Sequence, residues 1–397
     1  MQATKTRFNN LLLMLITGAL GALALGLVTS TTILSLSHIL IIIPSLYFLN
    51  KINYKENSTS FWALLFFSLA IILSILFNQD IAVNGFKPLP KVKYFIFGLL
   101  MIAPFVYFIE KKDIKKIKIL LYLFCISTSV ATIAGYVGMK TGFNYISMRP
   151  VNLDRNAGLS GMVLNYAHNL AFFQIIILGL ILYKEEVSNI IGSKFLYIVF
   201  IINLFGIYTS YTRGAMLALL VGAPFYFFKK NKVKFALVTV ILAVLSISVY
   251  TLTGKSILRP GSDRERISQW QAAMMAFKER PVLGYGYLNF EQHSIPLKRK
   301  YNLGELQFGG HAHNNFLEVL STTGILGFIS FMTWLICWFV EVYKRDDLIA
   351  RISLPLIITF IVGGLTQSTI SLGVNLFFIM AAYAISQAAK KTELLKT

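Results

Sequence analysis

The chain has 397 residues, 56% of them hydrophobic, with a formal net charge of +20 and a mean hydropathy of +0.67. A composition this apolar excludes a water-soluble globular protein. The charge is dispersed over short loops, which excludes nucleic acid as a partner and leaves the lipid bilayer.

Apolar runs near the length needed to cross a bilayer recur at 10–28, 32–49, 61–77, 94–109, 119–137, 159–183, 195–211, 214–228, 235–253, 316–340, 352–366 and 371–386. The pattern predicts an all-α, polytopic integral membrane protein with about twelve transmembrane helices. The first run follows Lys5 and Arg7 without a small-residue cleavage site and reads as a retained helix. The expected organisation is nine helices in residues 1–253, a long polar loop over 254–315, and three helices with a C-terminal tail in 316–397. Cys125 and Cys337 lie inside apolar runs and offer neither a disulfide framework nor an external metal site.

The segments "EKKDIKKIK" (110–118), "KKNKVK" (229–234), "KRDDLIAR" (344–351) and the terminal "KKTELLK" fall on one side in a twelve-helix count. The positive-inside rule makes that side cytoplasmic, with both termini inside and the long loop outside. Arginine and lysine are sorted differently. Of the 11 arginines only Arg7, Arg345 and Arg351 fall inside, whereas about 18 of the 26 lysines do. Guanidinium offers a planar fork for phosphate or carboxylate, so the outer arginines suggest an anionic partner on that face or contact with lipid headgroups.

Within the apolar runs, "IYTSYTRGAMLALLVG" places Arg213 between two helices with almost no loop. An arginine at that depth needs a cavity or an anion. Arg149 and Arg155, in "SMRPVNLDRNAG", lie on the same side and are placed to line that cavity.

In the long loop, Ser262 and Glu265 have capping-box spacing and predict a helix starting near Asp263. Ile267, Trp270, Met274 and Phe277 form an apolar stripe for lipid or protein, with Arg266, Gln269 and Ala273 on another face. Pro281 ends the helix, and "LGYGY" (283–287) reads as a structural turn. His293 reads as a solvated loop residue. His311 and His313 border the next helix and are followed by Asn314 and Asn315. Histidine titrates near neutrality and serves as a general base toward a hydroxyl. A zinc site on "HAH" requires further ligands, for which Glu305 and Asp263 are the available candidates, and helix capping at the membrane surface is the remaining alternative.

Over most of residues 90–385, and not in the first eighty, the sequence resembles the O-antigen ligases of Gram-negative bacteria, which share a core with O-antigen polymerases and protein O-oligosaccharyltransferases. His313 and Asn314, nine residues, Gly324, two residues and Gly327 match the ligase signature throughout. "TSYTRGAM" is similar to the family's embedded arginine motif, and "RERISQWQAAMMAFKERPVLGYG" looks like its outer amphipathic helix. The resemblance implies a glycosyltransferase-C-like fold and pyrophosphate binding by Arg213 and Arg266, with Arg155, Arg264, His311 and Asn314 in support. It implies His313 as the general base, with Asn314 orienting the imidazole, and neither metal nor other cofactor. The implied reaction moves a glycan from an undecaprenyl-pyrophosphate donor to a hydroxyl of lipid A–core, outside the cytoplasm and with inversion. "GMVLNYAHNLAFF" (161–173) follows the family only loosely, so His168 receives no role.

Two other readings compete. An O-antigen polymerase would use the same donor and the same motif. A transporter or flippase would show internal repeats or midplane charges, which are not found, and would leave His313 without a task. A protein O-oligosaccharyltransferase is disfavoured by the short tail "KKTELLKT".

Overall fold

The computed structural model describes residues 2–29, 31–49, 58–151, 153–252, 260–304 and 306–394. Arg259 and Glu305 therefore lie outside the described residues. The protein is an all-α polytopic membrane protein, and among the described residues each of the twelve apolar runs falls mainly on helix. Among the described residues, eight helices are long and apolar enough to cross a membrane. Ser193–Thr209 and Arg213–Phe228 are shorter apolar helices, and the runs at 235–253 and 371–386 lie on Lys232–Leu252 and Gly373–Leu394. The one sheet among the described residues is a two-stranded hairpin pairing Phe143 with Pro150 and Asn144 with Arg149.

Burial sorts the helices into those at the centre and those at the rim. Phe66, Ile119, Ile133, Ile201 and Val240 are large, apolar and exposed along helix flanks, as a lipid-facing belt requires. The centre is built where Thr59–Leu76, Asn315–Tyr343, Leu348–Thr366 and Gly373–Leu394 meet. There Trp334 and Trp338 stack at 5.6 Å, one turn apart, and Tyr383 meets both rings edge-on. Lipid tails are as apolar as these side chains, so packing and interhelical hydrogen bonds must hold the bundle. Asn169 donates to the Leu27 carbonyl at 2.9 Å, and Asn375 donates to Asn169 at 2.7 Å. Each such bond contributes about 0.6–2 kcal/mol in a bilayer.

The bundle has two unlike ends. At one, the basic loops touch: Lys229 donates to the Arg345 carbonyl, Lys230 pairs with Asp346, and Arg351 pairs with Glu186. At the other, helix breaks and the long loop gather. Thr209 ends one helix and Arg213 starts the next, with Tyr211 between them in the left-handed region at φ 50°. The 348–366 helix stops at Gln367, whose backbone is extended.

The amphipathic helix of the long loop is Pro260–Glu279. It is already helical at Pro260, a turn before the capping box predicts, so Ser262 lies inside the first turn. Proline suits a first helical position because its fixed φ is helical and its missing N–H is not needed there. Its buried face is Ser268, Gln269, Ala272, Ala273 and Ala276, not the aromatic stripe. Small residues let this helix sit close to Phe290–Lys300 and Asn315–Tyr343, with Tyr285, Phe290, Leu297 and Ala312 in the shared core. Ile267 of the stripe is exposed and Trp270, Met274 and Phe277 are half-buried, as an interfacial helix requires.

The turn after this helix enters a gap in another. Gly324 interrupts Asn315–Tyr343 with φ 63° and ψ −161°, a conformation open essentially to glycine alone. The freed backbone groups pair with the turn: Tyr285 and Gly286 donate to the Ser321 and Thr322 carbonyls, and Ile325 donates to Pro281. A Cβ on Gly324 would stand 2.4 Å from the Val282 carbonyl, and one on Gly284 would stand 2.5 Å from the Thr322 carbonyl carbon. The glycine–tyrosine segment is thus a backbone joint between two helices.

Candidate active site

Short-range chemistry positions the two histidines. Asn314 is the N-cap of the 315–343 helix, its side-chain oxygen accepting from the Phe316 and Leu317 amides. The preceding residues are held from three sides. Buried Glu318 accepts from the Ala312 amide at 2.7 Å, Ser294 accepts from the Gly310 amide, and Lys298 donates to the Phe308 carbonyl at 2.8 Å. His313 itself sits in the left-handed region at φ 50°, a strained choice for a non-glycine residue and one concentrated at functional sites.

The tripeptide His313–Asn314–Asn315 also grips the break after the 348–366 helix. Asn314 donates to the Leu365 carbonyl, while Asn315 donates to Thr369 and accepts from the Ile370 amide. This brings Gln367, 1% exposed, against both imidazoles. Its side-chain oxygen accepts from Nδ1 of His313 at 2.7 Å, and its amide donates to Nε2 of His311 at 3.0 Å. The two rings lie 4.3 Å apart. With its proton committed at Nδ1, His313 keeps a lone pair on Nε2. Asn314 therefore caps a helix, and the residue orienting the imidazole is Gln367. Nothing in the local sequence marks Gln367 except that "TQST" interrupts two apolar runs.

Electrostatics keep both rings neutral. Burial pulls His311 down to about 4, with the neighbouring His313 charge adding to the effect and Gln367 opposing it. Burial also lowers His313, against the Gln367 hydrogen bond, and the Arg266 charge lowers it further. Each is a neutral imidazole at pH 7, the state a proton acceptor needs.

His313 borders a cavity of about 170 Å³ lined also by Arg155, Thr212, Arg213, Glu265 and Arg266. The residues come from four separate stretches of chain. Arg213 starts its helix and pairs with Asp263 at 2.7 Å. Arg155 braces the break before Arg213, donating to the Ser210 carbonyl at 2.8 Å and to the Thr212 hydroxyl at 2.9 Å. Three guanidinium groups against two carboxylates leave the walls positive, and the helix start at Arg213 adds the partial positive charge of its amides.

Other expected residues fall elsewhere. Arg264 is exposed and is not among the residues lining this cavity. Arg149 donates to the Leu159 carbonyl and lines a different cavity. Arg280 braces the far side of the long loop through Asn78 and Asp80. His293 is helical and half-buried, bonded to the Ile81 carbonyl, because the 290–300 helix packs under the loop instead of leaving it in solvent. His168 is buried, its Nδ1 donating to the Leu164 carbonyl one turn earlier. Among the described residues no group of three or more His, Cys, Asp or Glu is arranged to hold a metal ion.

Fold and site together define a polytopic membrane protein with an arginine-lined pocket beside a neutral imidazole. Residues 198–332 match the family described as O-antigen ligase. The match runs from the helix before Arg213 to beyond the break at Gly324, and so includes Arg213, Arg266, His311 and His313. Its members are glycosyltransferase-like enzymes of the ligase and polymerase type. The chain is also 26% identical over 327 residues to an uncharacterized protein of Haemophilus influenzae, covering 74% of this chain and 75% of that one.

Proposed function

We propose that this protein is an O-antigen ligase of the bacterial inner membrane. It takes a glycan from undecaprenyl pyrophosphate and attaches it to a hydroxyl of lipid A–core at the periplasmic face. Both termini are then cytoplasmic. The observation that carries this reading is the cavity where Arg155, Arg213 and Arg266 meet His313. The pyrophosphate binds among the arginines, displacing Asp263 from Arg213. Nε2 of His313 accepts the proton of the acceptor hydroxyl as its oxygen forms a bond to the anomeric carbon. The bond from that carbon to the phosphate oxygen breaks, and undecaprenyl pyrophosphate departs with its charge held by the guanidinium groups. A single displacement inverts the anomeric centre. The arginines supply the charge stabilisation that a metal ion supplies in other glycan transferases, so the step needs no metal.

The lipopolysaccharide pattern of a deletion strain tests the assignment. A ligase predicts loss of all O-antigen from lipid A, with lipid-linked polymer accumulating. Lipopolysaccharide bearing a single repeat would instead identify a polymerase. An unchanged pattern would remove both.

A further inference from the structure

The imidazole pair has a second side. His311, whose ring centroid lies 4.3 Å from that of His313, lines another cavity of about 380 Å³, within the range of small-ligand pockets. This cavity lies between the segment after the 59–76 helix, the 290–300 helix and the start of the last helix, and Lys87, Lys91, Glu291, Gln292 and Glu318 are among its walls. Glu318 is 1% exposed and borders this space while one of its oxygens holds the Ala312 amide. Lys87, Lys91, Glu291 and Gln292 are exposed at the rim. None of these residues belongs to the arginine cavity.

The chemistry of displacement gives this second space a task. A nucleophile attacks the anomeric carbon from the side opposite the leaving group. If the pyrophosphate lies among the arginines, the attacking hydroxyl comes from the opposite side of the anomeric carbon, and the His311 cavity is a second space beside the imidazole pair. We propose that the His311 cavity is the acceptor subsite and that it takes a saccharide bearing an acidic substituent. Carboxylate and amide groups of Glu291, Gln292 and Glu318 suit sugar hydroxyls, and the two rim lysines suit a phosphate or carboxylate on the sugar. This inference rests on the transferase reading above and deepens it.

The test uses purified full-length protein in detergent and lipid A–core from an O-antigen-free strain, before and after chemical removal of its phosphates. Lys87→Ala/Lys91→Ala removes charge at exposed positions, and Gln292→Trp fills the cavity without touching charge. Each should weaken direct binding of intact lipid A–core by about tenfold, a rim-charge and steric effect. The lysine variant should bind the dephosphorylated acceptor as wild type does, and Lys278→Glu, an exposed position on the 260–279 helix outside the cavity's lining, should leave binding unchanged. Turnover with lipid-linked donor is measured separately. Acceptor binding that depends on these residues without turnover would keep the subsite and sink the ligase reading. A raised KM for donor with acceptor binding intact would give the cavity to the donor glycan and overturn the proposal, as would wild-type binding in both variants.

Discussion

Gln367 offers the sharpest test of how the site works, because it acts on His313 through one hydrogen bond of 2.7 Å and on His311 through another of 3.0 Å. Gln367→Leu keeps the volume and deletes both bonds. A neutral hydrogen bond contributes about 0.5–1.5 kcal/mol, and an unsatisfied buried donor costs about 1–3 kcal/mol. With 1.36 kcal/mol per factor of ten, His313 would shift to other tautomers or rotamers and productive base would fall by about ten- to a hundredfold. The effect should appear in kcat, with donor binding retained. Gln367→Glu changes a different property. A carboxylate beside Nδ1 stabilises the imidazolium and raises the His313 pKa. In the wild type that pKa lies below 6.5. The base therefore stays neutral, and transfer persists, as pH falls through 6.5. In Gln367→Glu the acid limb of the rate profile should move to higher pH. The assay is the initial transfer rate of purified protein with lipid-linked donor and acceptor across pH 5–9. Wild-type kcat in the leucine variant together with an unmoved acid limb in the glutamate variant would refute this account of Gln367.

His313→Ala should reduce transfer by roughly 10²–10⁴-fold with donor binding retained, and His311→Ala by less, in the same rate assay; equal losses would move the base role to the pair. Arg213→Ala and Arg266→Ala should each severely reduce transfer, with Lys substitutions rescuing only in part because the planar fork is lost, while exposed Arg299→Ala should be mild. Full activity in both alanine variants would remove the anion site. Gly324→Ala should destabilise the protein by about 1–3 kcal/mol or more, seen as a lower thermal midpoint in detergent, since the backbone there is glycine-only and the new Cβ meets Val282 at 2.4 Å. For orientation, Arg299→Cys should react with a membrane-impermeant thiol reagent in outer-membrane-permeabilised cells and Lys234→Cys should not, both positions being exposed at opposite ends of the bundle; the reverse labelling would invert the topology and with it the periplasmic site.

What could be read in advance was whatever depends on periodicity and on residue chemistry within a short window. Each apolar run announces a helix because the bilayer demands one, and Arg213 announces a cavity because its surroundings are too apolar to leave it alone. His313 could be singled out by its place at a helix mouth. The contacts that complete the site were not visible in this way. His313 and Gln367 are far apart in the chain, and their meeting depends on Asn314 and Asn315 holding the break after Leu365. Asn314 looked like a partner for the imidazole because it is adjacent, but adjacency at a helix start favours capping the backbone. The buried face of the 260–279 helix was hidden for a related reason. Aromatic size suggests burial in a soluble protein, whereas beside a bilayer the small face packs on protein and the aromatic stripe is left for lipid.

The joint at Gly324 has a mechanical consequence. The turn 281–286 is bonded into the helix that His313 introduces, and the same turn ends the helix that carries Arg266. His313 and Arg266 are thereby welded into a single lever. Arg213 stands on another helix and reaches this lever through its ion pair with Asp263. On the proposed reading, an anion that takes Asp263's place becomes the rivet between the two parts, so the grip between them depends on the ligand itself.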